Sequence, residues 1–287
     1  MEFSDIIAGT MTWGVWGKDL STSEMAALID TCLESGINTF DHADIYGGYT
    51  TEEAFGGAFI ENGVPREKIK LISKCGILNP GGARDISAKR YEYSAEYIIW
   101  SAESSLKNLQ TDYLDLLLLH RPSPLMQPDE IAKAVDLLKR DGKILEFGLS
   151  NFTPSQTDLL AAKTKIGYNQ IHFSLTHWEA MTNGSLDHMY MNNIRPMAYS
   201  PLGDVFKEEN EQTARIKELL VRLILKYEVD ADVILLAWIL KHPAKILPVF
   251  GTANPRRIRE LHKATIINLD DEDWFALWVE SRGSKVP

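Results

Sequence analysis

The chain's 287 residues suffice for one barrel-sized domain of roughly 250 residues or for two small domains. A hydrophobic fraction of 45% and a charged fraction of 24% are ordinary for a soluble globular protein. The net charge of −10, from 40 acidic against 30 basic residues, argues against a general binder of nucleic acid or anionic membrane.

Met1-Glu2-Phe3-Ser4-Asp5 has no basic start followed by an apolar core, so no signal peptide is expected. A first strand is expected at Ile6–Thr10. Ser21-Thr22-Ser23-Glu24 then has the form of a capping box ahead of Met25, Leu28 and Ile29. Strands follow at Asn38–Asp41 and Ile69–Lys74. Ser94 precedes a helical run marked by Ile98, Ile99, Leu106 and Leu109, and Asp115–His120 reads as a fourth strand. Ile131, Val135 and Leu138 mark another amphipathic helix. Further strands are expected at Leu145–Ser150, Ile166–Gln170, Arg195–Ser200 and Ile246–Gly251. Asn210 to Tyr227 and the apolar Ala231–Leu240 read as helices between the last two strands. Ala231–Leu240 is too short to span a bilayer. Asp271–Glu280, with Trp274 and Trp278, reads as a C-terminal helix.

Eight strand–helix alternations predict βαβ units and a parallel sheet. Their number favours closure into a (β/α)8 TIM barrel, with an extra helix before the last βα unit and a C-terminal helix. No GxGxxG follows any strand, which weakens an open dinucleotide-binding sheet. With no linker or repeat, residues 1–287 are expected to form a single domain. Cys32 and Cys75 imply no disulfide framework and suit a reducing, cytoplasmic location.

Each strand candidate ends on a polar or small residue: Thr10, Asp41, Lys74, His120, Ser150, Gln170, Ser200 and Gly251. In a parallel barrel the active site forms at these carboxyl ends. Neighbouring strands lie roughly 4.8 Å apart, close enough for Asp41 and Lys74 to pair as ions. Tyr46 follows Asp41 by five residues, ahead of Gly47 and Gly48, which permit a tight loop back over the barrel mouth. A phenol is a poor acid at neutral pH, and a nearby ammonium draws its pKa toward the working range. Tyr46 is then a proton donor, Lys74 its tuner, Asp41 the anchor of Lys74, and His120 a substrate-orienting imidazole. The plainer alternative is a structural salt bridge, a strand-end histidine and a loop aromatic packed on the rim.

The blocks Asp41-x-Ala43-x-x-Tyr46-Gly47, Ser73-Lys74, Leu118-Leu119-His120-Arg121-Pro122, Gly148-Leu149-Ser150-Asn151-Phe152, Asn169-Gln170 and Tyr199-Ser200-Pro201-Leu202-Gly203 resemble the signatures of the aldo-keto reductase superfamily. They run in family order from Gly9 to roughly Glu260. Within the family, Ser105–His120 and His172-Phe173-Ser174 look most like the bacterial general oxidoreductase branch. The resemblance implies a catalytic tetrad at Asp41, Tyr46, Lys74 and His120. It also implies a nicotinamide held through its carboxamide by Ser150, Asn151 and Gln170, with Tyr199 stacked on the ring; amide side chains and an aromatic face suit those tasks.

The segments after the seventh and eighth strands, where barrels commonly bind phosphate, bring Ser200, Leu202, Gly203, Gly251 and Thr252 into the candidate cofactor set, joined by Thr10. Asn254 and Pro255 read as an N-cap and first helical residue. Arg256 and Arg257 then sit at the wrong end of the helix dipole for cations, a conflict that a bound anion removes. Family members often carry a lysine where Gly251 stands, so Thr252 and Arg257 bear more of any phosphate recognition. The long C-terminal loop of many animal members is expected to be short or absent. Trp13, Trp16, Tyr49 and Trp178 are candidates to line the substrate pocket, with packing roles an equal alternative.

The expectation is an enzyme that uses NADP(H) to reduce a small aldehyde or ketone, with no metal. A non-catalytic nicotinamide-nucleotide-binding partner subunit is the rival, and the intact tetrad argues against it. A Schiff-base aldolase using Lys74 is disfavoured because Asp41 keeps that lysine charged. A metal hydrolase using His42 and His120 lacks a third ligand.

Overall fold

The computed structural model describes residues 3–286; Met1, Glu2 and Pro287, the ends of the expected domain, lie outside them. In chain order the first elements are β1 (Ile7–Gly9), α1 (Thr22–Glu34), β2 (Thr39–Asp41), α2 (Thr51–Asn62), β3 (Lys70–Cys75), β4 (Ile77–Leu78), β5 (Arg90–Tyr91) and α3 (Ala95–Asn108). They continue with β6 (Leu114–Leu119), α4 (Pro128–Arg140), β7 (Ile144–Ser150), α5 (Pro154–Ala161), β8 (Tyr168–His172), α6 (Ser185–Met191) and β9 (Arg195–Tyr199). The last are α7 (Glu211–Tyr227), α8 (Ala231–Leu240), β10 (Leu247–Phe250), α9 (Pro255–Leu261) and α10 (Asp271–Arg282).

Eight strands close a parallel barrel in the order β1-β2-β3-β6-β7-β8-β9-β10, with β10 pairing β1. Every expected strand is present, with bounds moved by one or two residues. The antiparallel β4–β5 hairpin is an unexpected addition; it projects from the end of β3 at the mouth. Among the described residues no helix is long and apolar enough to cross a membrane.

Alternation along each strand decides what reaches the mouth. Leu116 and Leu118 of β6 point into the barrel with Ile7, Ile72, Met197, Leu247 and Val249. Leu117 and Leu119 point outward, into the layer shared with the helices, as do Phe40, Leu71 and Leu149. Each fully buried leucine contributes about 1.5–3 kcal/mol by leaving water. Continued two residues past Ile72, the inward face carries Lys74; past Leu118 it carries His120; past Met197 it carries Tyr199. Phe40 faces out, so Asp41 faces in. The catalytic candidates therefore share one face because their positions have the same parity as the barrel's apolar filling.

The helices close as their end residues dictate. The capping box is formed: the Ser21 N–H donates to Glu24 Oε2 at 2.8 Å, and the Glu24 N–H to Ser21 Oγ at 3.4 Å. The extra helix α7 buries Ile216, Leu220 and Leu223 and packs on α10, where Asp273 accepts from Arg222, Lys226 and the Tyr227 hydroxyl. Trp238 and Trp274 stack with centroids 5.0 Å apart, and each indole N–H donates to the other's carbonyl.

Candidate active site

Lys74 is the centre of the mouth. Its ammonium, fully buried, donates to Asp41 Oδ2 at 2.7 Å, to the His42 carbonyl at 2.8 Å and to the Tyr46 hydroxyl at 3.0 Å. An ammonium has three donors, and all three are used. The Tyr46 oxygen is thus an acceptor toward Lys74, which leaves its own proton for an acceptor in the mouth. Burial opposes the Lys74 charge, but Asp41 and Tyr46 outweigh it and hold the ammonium above the ordinary lysine range. Burial also pushes the Tyr46 phenol upward; Lys74 pulls it down without cancelling the rise. This corrects the expectation of a net fall: in the free site desolvation wins over the cation.

His120 lies beside this pair, its ring 6.1 Å from that of Tyr46 at 78°. Burial, then Lys74 and Arg121, hold its pKa well below the ordinary value, so the ring is neutral. Its Nδ1 is buried without a partner. A neutral imidazole can donate one hydrogen bond to a carbonyl oxygen without competing as an acid.

The carboxamide candidates converge on the same centre. Gln170 donates from Nε2 to Asp41 Oδ1 at 3.0 Å. That leaves one N–H and Oε1, one donor and one acceptor, the complement of a primary amide. Asn151 adopts a left-handed backbone (φ 64°), donates to Ser150 Oγ at 2.9 Å and accepts from the Tyr199 hydroxyl at 2.9 Å. Tyr199 in turn stacks on His172 at 5.0 Å and 8°. These residues fit a nicotinamide carboxamide and ring. Gly203 (φ 54°) lets the Ser200–Gly203 segment, with Leu202, approach β8's loop; a Cβ there would lie 2.1 Å from Thr176 Oγ1.

Other expected residues are placed differently. Thr10 continues β1 on its outward parity, is fully buried, and is spent on the Asp41 carbonyl at 3.1 Å and His42 Nδ1 at 2.8 Å. It does not reach the mouth. Trp13 is equally buried, packed against Phe40 and Phe55, and is core. Tyr49 fastens the hairpin, donating to the Ile77 carbonyl and accepting from the Asn79 N–H. Trp178 packs edge-on against Trp278 under Arg282. Of the four pocket candidates, the exposed Trp16 stands at the mouth, 6.4 Å from the Tyr46 ring.

At the head of α9, Asn254 Oδ1 caps the N–H groups of Arg256 and Arg257 as expected. The Thr252 hydroxyl accepts from the Asn254 N–H, and the Gly251 carbonyl accepts from Thr12. The charge conflict there is relieved from within: Arg257 donates to Asp232 Oδ2 of α8 from Nε at 3.0 Å and a terminal nitrogen at 2.8 Å. The half-exposed guanidinium keeps its other donors.

Behind β3 lies a buried acidic cluster that strand spacing alone does not reveal. Asp44 accepts from Arg84 at 3.1 Å and Ser101 at 2.9 Å, and Ser73 donates to Glu52 at 2.5 Å. Burial raises Asp44 to about 6 and Glu52 to about 7. The folded state therefore holds a proton on Glu52 that the unfolded chain releases near the ordinary glutamate value of 4.5, and this contribution to stability is lost as pH rises through about 7. Glu52→Gln, which cannot ionise, should gain in melting temperature over the parent at pH 8 and lose that advantage at pH 5. Thermal unfolding at the two values checks this; an equal effect at both contradicts it.

A family model described as "Aldo/keto reductase family" matches residues 5–278. A protein of Bacillus subtilis named uncharacterized oxidoreductase YcsN is 39% identical over 295 residues, covering all of this chain and 97% of its own length. A 6-dehydroglucose reductase of Agrobacterium fabrum is 40% identical over 295 residues with the same coverage. Among solved structures, a thermostable aldo-keto reductase crystallised with the inhibitor epalrestat superposes with a TM-score of 0.82 at 26% identity, covering 98% of this chain and 96% of that one.

Proposed function

The chain belongs to the aldo/keto reductase family, and on that premise we propose that it reduces an aldehyde or ketone to the alcohol with NADPH. The observation that carries the reading is the filled coordination of the Lys74 ammonium, which leaves the Tyr46 proton for an acceptor in the mouth.

When bound, the reduced nicotinamide supplies a hydride to the carbonyl carbon. Gln170, Asn151 and Ser150 would hold its carboxamide and Tyr199 its ring face. His120, neutral, orients the carbonyl oxygen by a hydrogen bond. Tyr46 gives that oxygen its proton as negative charge develops there, and Lys74 stabilises the phenolate left behind. An alkoxide is far more basic than a phenolate, so an elevated Tyr46 pKa still allows downhill transfer. Asp41 keeps Lys74 charged and in place. A panel of aliphatic, aromatic and polyhydroxylated aldehydes, assayed by NADPH absorbance with NADH in parallel, tests the reading. The polyhydroxylated members are included because of the Agrobacterium relative's name. Carbonyl-dependent NADPH oxidation is expected; binding without turnover on every member would favour a nucleotide-binding subunit.

Cofactor choice would rest on Arg257. A charge-assisted contact to the 2′-phosphate of NADPH contributes about 1.5–3 kcal/mol, enough for roughly tenfold preference over NADH. Asp232 holds that guanidinium and partly offsets its charge, so a preference is expected rather than exclusion. Arg257→Ala should raise KM for NADPH well above its effect on NADH. Equal use of both cofactors by the parent protein, or no selective loss in the variant, contradicts the assignment.

A further inference from the structure

Arg121 directly follows His120, and its backbone is pinned. The Tyr93 hydroxyl donates to its carbonyl at 2.5 Å and accepts from its N–H at 3.2 Å. Its half-buried guanidinium, by contrast, has no carboxylate within ion-pair distance and no hydrogen-bond acceptor among the described residues. Its contact is with the face of Tyr199, 5.9 Å from the ring centroid. Arg66, Arg84 and Arg257 differ: each is matched by an aspartate, Asp115, Asp44 and Asp232 in turn. Arg282 also lacks a carboxylate among the described residues, but it lies against Trp178 and Trp278; what sets Arg121 apart is that its unmatched charge directly follows His120 at the mouth.

The charge balance of the mouth sharpens the point. Lys74 is neutralised by Asp41, and His120 is neutral. Arg121 is then an uncompensated positive charge beside the imidazole that would orient the carbonyl. It is felt at His120 and Tyr46, whose ionisation it biases after burial and Lys74 have acted. A guanidinium presents five donors in a planar fork that matches a carboxylate in two parallel hydrogen bonds. In a half-buried cleft, salt screens such a contact less than at an open surface.

We propose that Arg121 selects the substrate by binding a carboxylate carried by the carbonyl compound, so that the preferred substrates are formyl or keto acids. The inference rests on the carbonyl-reductase reading and deepens it. A neutral polyhydroxylated aldehyde would leave the charge unmatched.

The test compares 3- and 4-carboxybenzaldehyde with their methyl esters, which keep the aldehyde and ring and remove only the charge. The parent protein should show a kcat/KM about tenfold or more higher for at least one acid than for its ester. Arg121→Gln should abolish that preference by raising KM for the acid far more than for the ester. Arg121→Lys should keep part of it, since charge remains but the fork is lost. NADPH binding, followed by fluorescence titration, should persist in both variants. Equal kcat/KM for acid and ester in the parent overturns the inference while the carbonyl-reductase reading stands. So does an equal loss on both substrates, or weakened NADPH binding, in Arg121→Gln. Reduction of none of the four aldehydes, alongside turnover of other members of the wider aldehyde panel, also overturns the inference while the carbonyl-reductase reading stands; only failure on that whole panel contradicts the reading.

Discussion

Replacing Tyr46 by phenylalanine should lower kcat roughly 10²- to 10⁴-fold while NADPH still binds. The size follows from removing a proton donor held in place before the substrate arrives. The Tyr46 oxygen accepts from Lys74 at 3.0 Å, so its hydrogen is committed outward, and no other hydroxyl contacts the ammonium. Phenylalanine keeps the ring that faces Trp16 and His120, so the mouth keeps its shape. Gln170, Asn151 and Tyr199, the residues proposed to hold the nicotinamide, hydrogen-bond to groups other than the Tyr46 hydroxyl, so their arrangement should survive the substitution. Near-normal turnover of the variant would remove Tyr46 from the chemistry.

Lys74→Met should abolish most activity and also destabilise the fold, because it strands the buried Asp41 carboxylate without its ion partner. Breaking a buried pair by deleting one member typically costs about 3–5 kcal/mol. Asp41→Asn is the milder change. It keeps an oxygen for Lys74 or Gln170 and leaves the ammonium bound to the His42 carbonyl and Tyr46. Activity should fall less, and the pH profile should move. Asp41 is the largest influence holding the Lys74 charge against burial, so its loss lets the lysine titrate at lower pH. A Lys74→Met/Asp41→Asn double variant removes the stranded charge. It should recover melting temperature but not turnover. Wild-type kinetics in the single variants, with only a lower melting temperature, would make the pair structural.

Much of this was legible in the one-dimensional pattern, for a reason the barrel makes explicit. Asp41, Lys74 and His120 each end a short apolar run, and strand parity then fixes which face they take. The same rule explains the misses. Thr10 ends its run as visibly as Asp41 does, but it lies on the outward parity, and Ala8 rather than Ile7 is its same-face neighbour. Only the pairing register settles that choice. Trp13 carries a binding-site residue type, yet its indole completes the core with Phe40 and Phe55. The Asp232 partner of Arg257 stands 25 residues away across β10, beyond any local spacing rule. The upward direction of the Tyr46 phenol comes from desolvation, which no motif encodes. Asp44 and Arg121 lie inside the motif blocks, but their importance lies in partners: an Arg84 ion pair for one, no carboxylate for the other.

The most direct measurement of the central claim uses NADPH carrying deuterium at both C4 positions, a reducible aldehyde, and mass spectrometry of the alcohol. The account predicts one deuterium on the carbinol carbon, one NADP formed per alcohol, and a rate that collapses in Tyr46→Phe. An unlabelled alcohol, or label transfer at an undiminished rate without the phenol, would contradict it.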